Sequence, residues 1–126
     1  MPYRFTVNMD KLITLGNEFI ENDSLAKKVG DLLKDNYEII PIKDSFQLMT
    51  ILNETENPII LDVVQNLTEP KIIPTENLRN DSILSAHDFD AGYAIKIVNK
   101  PVKIIGIPMQ GNKEDIKQKV LELLNN

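Results

Sequence analysis

Short apolar runs alternate with amphipathic stretches along most of this chain, and the alternation predicts its secondary structure. Short apolar runs bounded by turn-forming residues are typical of buried strands, whereas apolar residues three and four positions apart are typical of helices. The predicted strands are residues 11–15, 37–42, 58–62 and 102–107, with a weaker one at 71–73. The predicted helices run from Asn22 or Asp23 to about Asn36, from Asp44 or Ser45 to about Asn53, from His87 to Val98, and from Lys113 to Leu124.

The order of these elements predicts the fold class. Strands that alternate with helices form a mainly parallel sheet with helices on both faces. We therefore expect an α/β fold with three layers, α/β/α, in which helices flank a twisted sheet of about five strands. Prolines bracket the run Lys71-Ile72-Ile73, which places this weak strand at an edge of the sheet. Residues 1–126 read as one domain, in which residues 1–10 fit either an extra strand or a flexible arm.

Composition excludes several classes of function. The chain has no cysteine and one histidine, His87, so disulfides, thiolate nucleophiles, thiolate metal sites and sites with several imidazoles are impossible. The net charge of −5 and the scattered basic residues argue against nucleic-acid binding, which needs clustered Lys and Arg. No apolar stretch approaches the ~20 residues of a membrane span, and the N-terminus lacks the apolar core of a signal peptide. We expect a soluble, cytoplasmic protein with no membrane partner.

Three side chains at element boundaries could converge on one metal ion. Asp62 ends the buried run 58–62, and Asp23 follows the first strand across the turn Gly16-Asn17. His87 begins a helix that leads toward the strand at 102–107. Because the carboxyl ends of parallel strands meet at one edge of a sheet, these ligands from three separate loops would face the same crevice. Such a set leaves an open coordination position, and imidazole with carboxylates suits zinc, nickel or iron better than magnesium.

Each of these residues also has an ordinary structural interpretation. Asp23 also fits the position of a helix cap, and Asp62 that of a hydrogen-bonding residue in a turn after a strand. His87 fits a surface position, and Gly16-Asn17 fits a simple turn. Spacing alone therefore predicts an α/β domain and leaves the metal crevice as one of two interpretations.

Four segments of the chain resemble the signatures of the hydrogenase maturation endopeptidases. Residues 16–23, Gly-Asn-Glu-Phe-Ile-Glu-Asn-Asp, resemble the first signature, a strand that ends in Gly-Asn followed by adjacent acids. Residues 59–64 resemble the second, an apolar strand that ends in Asp-Ala-Val or similar. Residues 85–94 look like the histidine block of archaeal members, and residues 102–108 resemble the last strand of the family, Ile-Gly-Ile. The segments occur in family order, and the resemblance covers residues 11–124.

The resemblance implies a specific reaction. Members of this family remove the C-terminal extension of the nickel–iron hydrogenase large-subunit precursor after nickel insertion, and their fold is a twisted sheet between helices. Carried over, their metal-binding and catalytic residues fall at Asp23, Asp62 and His87, while Gly16 and Asn17 fall in the substrate region. The implied metal is nickel supplied within the substrate, with zinc or cadmium as surrogates. The general base stays open between Asp23 and Asp62. The implied partner is the precursor, and we expect a monomer.

Departures from the family pattern leave two alternatives. Asn22 replaces the first acid of the pair, Ser24 replaces a glycine, and Lys43–Ser45 lies where a glycine-rich segment is usual. One alternative is a non-catalytic module that binds a hydrogenase subunit through the same fold. The other is an unrelated α/β domain with Gly16 in a phosphate-binding loop, which the absence of any Gly-x-Gly-x-x-Gly or Gly-Lys-Ser/Thr motif disfavours.

Overall fold

Strands and helices alternate in the computed structural model, which describes residues 10–15, 24–42, 45–64, 66–74 and 100–125. The strands are β1 (Lys11–Leu15), β2 (Glu38–Ile42), β3 (Ile59–Val63), β4 (Lys71–Ile72) and β5 (Lys103–Ile107). The helices are α1 (Ser24–Leu32), α2 (Ser45–Glu54) and α3 (Lys113–Leu124). The predicted helix at 87–98 and the first nine residues, where an extra strand or an arm was expected, lie outside the described residues.

The five strands form one sheet in the order β2-β1-β3-β5-β4. All neighbouring strands pair in parallel except β4, which runs antiparallel to β5 at the edge. The mainly parallel α/β sheet of about five strands is thereby confirmed, together with the edge position of the weak strand.

Side chains that alternate along the central strands form two apolar layers, one on each face of the sheet. Helices α1 and α3 pack on one face, where their buried residues meet alternate residues of β1, β3 and β5. Members of this layer include Leu12, Val29, Leu61, Ile105, Ile116 and Val120. Helix α2 packs on the other face, and that layer includes Ile13, Leu15, Leu48, Leu52, Ile60 and Ile104. Successive strand residues point to opposite faces, so the sheet is buried on both sides, as in other parallel sheets.

Proline protects the outer edge of β2. The backbone N–H of Glu38 donates to the Asp10 carbonyl at 2.9 Å, on the side of β1. Because backbone groups alternate sides along a strand, Ile40 and Ile42 also direct their N–H groups toward β1, and the Pro41 nitrogen faces outward. Proline has no N–H, so its outward position removes a donor from the edge that another strand would use for pairing.

Helix α1 is shorter than the apolar pattern predicts. It ends at Leu32 rather than near Asn36, and the Leu33 N–H donates to the Gly30 carbonyl at 2.9 Å in a tighter turn. Leu33 is nevertheless fully buried against the sheet. The apolar spacing indicates which side chains are buried in the core, and here one buried side chain lies beyond the end of the helix. None of the helices within the described ranges is both long enough and apolar enough to cross a membrane.

Candidate functional site at the carboxyl ends of β1 and β3

Asp62 is the buried acid of the central strand. It is the next-to-last residue of β3, one position inside the strand rather than at its exit, and only 1% of its surface is exposed. Aspartate is almost never buried this deeply unless its carboxylate has a specific partner or binds a metal. The burial therefore indicates that the Asp62 carboxylate makes a specific interaction, and its role as a site residue stays a prediction.

Strand topology places Asp62 where open α/β sheets bind ligands. The chain passes from β1 to β2 on one side and then returns past β1 to β3, so the direction of winding reverses between β1 and β3. Helix α1 covers one face and α2 the other, as this reversal requires. A crevice forms at the carboxyl ends of the strands at such a point. Asp62 lies near the carboxyl end of β3, at this crevice.

The neighbours of Asp62 within the sheet are apolar or have no side chain. Gly106 of β5 is its partner in the β3–β5 register. One position beyond the pairing of Thr14 with Leu61, the same register places Leu15 beside Asp62 on β1. Leu15 is 2% exposed and Val64, two residues after Asp62 on the same face, is 5% exposed. The carboxylate is therefore almost fully removed from water, and a bound cation would interact with it more strongly there than in water.

The remaining predicted site residues cannot be compared with the structure. Asp23, His87, Gly16 and Asn17 all lie outside the described residues. Within the described ranges no group of three acidic, histidine or cysteine side chains is close enough to hold a metal ion. Leu15, the last residue of β1, lies next to Asp62, and the chain continues from it into Gly16 and Asn17. Convergence of the three ligands remains a prediction.

Two grooves that are lined by described residues lie away from this crevice. One, of about 350 Å³, is lined by Asn57, Pro58, Ile59, Pro101, Val102 and Lys103, which precede or begin β3 and β5. It opens at the amino ends of the strands, the edge opposite Asp62. A second groove, of about 440 Å³, lies between β2 and α2 and includes the exposed ring of Phe46. The candidate site is assigned from strand topology.

Sequence reasoning did not identify the role of Gly106 beside Asp62. The glycine was visible in the run Ile-Gly-Ile, and an isolated glycine inside a strand pattern indicates close approach of other groups. Its pairing with Asp62 depends on strand order and register, which the sequence does not give directly.

Solved structures of hydrogenase maturation endopeptidases have this fold. The chain is similar to the crystal structure of the Hydrogenase 3 maturation protease, with a TM-score of 0.68 and 17% identity over 93% of this chain and 89% of that one. It is also similar to the hydrogenase maturating endopeptidase HybD from E. coli, with a TM-score of 0.66 and 11% identity over 92% and 90% of the two chains. An uncharacterized protein from Wolinella succinogenes aligns with a TM-score of 0.59 and 14% identity over 93% and 94%.

These similarities confirm the predicted resemblance at the level of the fold. They extend over about nine tenths of each chain, so the shared architecture is that of the whole domain. No family model matches the sequence, and no curated protein matches it significantly. The relationship is therefore visible in the backbone, while few residues are shared.

Proposed function

We propose that this protein is an endopeptidase that removes the C-terminal extension of a nickel–iron hydrogenase large-subunit precursor after nickel insertion. The proposal is carried by the combination of a fold and a buried side chain. The chain has the fold of two hydrogenase maturation endopeptidases, and a buried aspartate lies where that fold forms its crevice. Fold alone does not determine function, so the proposal depends on Asp62 as much as on the architecture.

In this proposal Asp62 acts together with Asp23 and His87. Nickel arrives as part of the substrate, and the three side chains complete its coordination. Two carboxylates and one imidazole fit nickel, and zinc or cadmium would serve as surrogates in the free protein. The ligands hold the precursor so that the peptide bond to be cut lies in the crevice, and Gly16 and Asn17 contact the substrate backbone there. Either Asp23 or Asp62 accepts the proton of the attacking water.

The surroundings of Asp62 support a role in cation binding. Asp62 is almost fully buried, so its carboxylate has lost most of its hydration, and a cation of the substrate would add to the interactions that stabilise its charge. The gain is largest when the precursor covers the crevice and excludes water. The complete metal site would then exist only in the complex that a monomer of this protein forms with the precursor in the cytoplasm.

The direct test is cleavage of a nickel-loaded precursor. Purified protein is mixed with the large-subunit precursor of the nickel–iron hydrogenase from the same organism, and the intact mass of the subunit is followed. We expect the mass to fall by that of the C-terminal extension. The matched control is the same precursor without nickel, which should stay uncut. An unchanged mass for the nickel-loaded precursor would refute the endopeptidase function.

The sequence departures favour a second candidate, a binding module without catalysis. Asn22 and Ser24 alter the segment beside Asp23, and Lys43–Ser45 replaces a segment that shapes the substrate groove in the family. A module of this kind would bind the precursor and leave it intact. Co-elution of the two proteins without any change of mass would establish this alternative.

A further inference from the structure

Gly106 faces a space that three apolar side chains have already filled. A Cβ atom at this position would lie 2.9 Å from Ile73 Cγ1, 2.9 Å from Val64 Cγ2 and 3.0 Å from Leu67 Cδ1. Carbon atoms that are not bonded to each other prefer separations of about 3.5–4.0 Å. Any side chain at residue 106 would therefore displace at least one of these groups.

Two of the displaced groups, Val64 and Leu67, belong to the segment that follows β3, and the third, Ile73, directly follows β4. This segment, the β3–β4 connector (residues 64 and 66–70 of the described chain), leads into β4. The Val64 N–H donates to the Ile107 carbonyl at 2.9 Å, and the Ile73 N–H donates to the Ile104 carbonyl at 2.9 Å. Val64 at the start of the connector and Ile73 just beyond β4 are thus both fixed to β5, and Leu67 lies over Gly106 between them. Glycine allows the connector to lie directly on the strand.

The same contacts bear on Asp62. Gly106 is its register partner, and Val64 follows it by two residues on the same face of the sheet. Val64 is β-branched and buried, so it cannot rotate away from a new methyl group at residue 106. Crowding must therefore move the end of β3 away from β5 or shift Val64, and either change displaces the carboxylate of Asp62.

We propose that Gly106 is a positioning residue for Asp62, because it lets Val64, Leu67 and Ile73 close over β5 and fix the carboxyl end of β3. The proposal rests on the proposed function in assigning Asp62 to precursor cleavage. It adds that the position of the Asp62 carboxylate depends on the absence of a side chain at residue 106 of the neighbouring strand.

The test compares Gly106→Ala with Gly30→Ala. A Cβ at Gly30 would lie 3.0 Å from Thr14 Cγ2 and 3.3 Å from Ile39 Cγ2, so this control adds milder crowding between α1 and the opposite face of the sheet. We expect Gly106→Ala to lower kcat for the nickel-loaded precursor by about 10- to 100-fold, since small displacements of reacting groups have effects of this size. We expect KM to change by less than about twofold, and Gly30→Ala to keep the kcat of the wild type.

A rescue experiment distinguishes positioning from loss of stability. Leu67→Ala in the Gly106→Ala protein removes one of the crowding groups, and we expect it to restore most of kcat. Failure of this rescue, or equal losses of kcat in Gly106→Ala and Gly30→Ala, would overturn the proposal. Should Gly106→Ala be insoluble, the double variant is compared with Leu67→Ala alone. Because Val64 and Ile73 still crowd a methyl group at residue 106 in the double variant, a lower kcat than that of Leu67→Ala supports positioning, and equal kcat values contradict it.

A measurement without substrate separates this proposal from the proposed function. The 13C resonance of the Asp62 carboxyl group, recorded at one pH, should shift in Gly106→Ala, return toward its original position in the double variant, and stay unchanged in Gly30→Ala. An unchanged resonance in Gly106→Ala would refute the positioning role. If the wild-type protein leaves the nickel-loaded precursor intact, the endopeptidase function fails, while these resonances still decide whether Gly106 positions Asp62.

Discussion

The ammonium group of Lys100 donates a hydrogen bond to the Leu52 carbonyl at 2.6 Å. This bond links the chain just before β5 to the end of α2. The same ammonium group also donates to the Thr55 carbonyl at 3.2 Å. The last carbonyls of a helix have no partner within the helix and carry partial negative charge, so a cation there is doubly favourable. Lys103 makes the corresponding bond to the Leu123 carbonyl of α3 at 2.8 Å, so helices on both faces are fixed to β5 or to the residues just before it.

Replacing Lys100 should therefore destabilise the fold. Lys100→Met keeps most of the aliphatic chain and removes both hydrogen bonds, and we expect the free energy of unfolding to fall by about 1–2 kcal/mol. Urea denaturation measures this change. Lys28→Met, at an exposed position on α1, is the matched control and should have little effect. Equal stabilities of the two variants would show that the bonds to α2 contribute nothing.

The side chain of Asn112 caps the amino end of α3, and this cap should contribute to stability. The side-chain oxygen of Asn112 accepts from the Glu114 N–H at 2.9 Å and from the Asp115 N–H at 3.0 Å. Asn112→Ala leaves both donors without this acceptor, and we expect it to lower the free energy of unfolding by about 1 kcal/mol. Asn112→Asp keeps the acceptor and should preserve stability. A similar loss in both variants, measured by urea denaturation, would contradict the capping role.

The sequence was sufficient to predict the layers of the fold and a position for Asp62 near the carboxyl end of β3. Apolar periodicity depends on which side chains reach the core, and this property is local enough to be read from β3 or α3 alone. The same property explains the error at the end of α1, where Leu33 is buried without being helical. Periodicity detects burial, and it does not detect the hydrogen bond from Leu33 to Gly30 that ends the helix.

Contacts between distant segments could not be predicted in the same way. Pairing of Asp62 with Gly106 requires β3 and β5 to be neighbours, and about forty residues separate these strands in the chain. The closure of Leu67 over Gly106 depends in addition on the path of the β3–β4 connector. Such relationships follow from strand order and register, which is why the sequence indicated Asp62 but gave no indication of what positions it.

Removal of the Thr55 hydroxyl group should stabilise the protein. It is 7% exposed, and its Oγ1 atom has no hydrogen-bond partner among the described residues. A buried hydroxyl without a partner has lost its hydration with no compensation, so the isosteric change Thr55→Val should raise the free energy of unfolding by about 1 kcal/mol. Thr50→Val is the control, because the exposed Thr50 hydroxyl donates to the Phe46 carbonyl at 3.0 Å. A destabilised Thr55→Val protein would show that the hydroxyl is satisfied in solution.

Loss of the Tyr37 phenol proton should make the protein less stable at alkaline pH. Burial, and to a smaller extent the negative charge of Asp10, raise the pKa of the Tyr37 phenol above its ordinary value of 10.0. The unfolded chain then loses this proton at a lower pH than the folded one. The contribution of Tyr37 is therefore fully present below pH 10.0 and is lost as the pH rises through the higher pKa of the folded state.

Comparison with Tyr37→Phe isolates this effect. The wild-type protein should lose more stability than the variant as the pH rises above the ordinary pKa of tyrosine, because the variant has no proton to lose at this position. Thermal unfolding across this pH range measures the difference. Asp10→Asn should reduce the pH dependence only slightly, since burial is the larger cause. Parallel pH profiles for the wild type and Tyr37→Phe would contradict the raised pKa.

Asp62→Asn should separate catalysis from folding. The amide has the shape of the carboxylate but no negative charge to bind a cation and little basicity, so we expect cleavage of the nickel-loaded precursor to fall by about 100-fold or more. The variant should still unfold cooperatively, because its packing at the end of β3 is unchanged. Glu54→Gln removes an exposed charge from α2 and should cleave normally. The subunit mass reports cleavage, and a folded Asp62→Asn protein that processes the precursor at the wild-type rate would exclude Asp62 from the site.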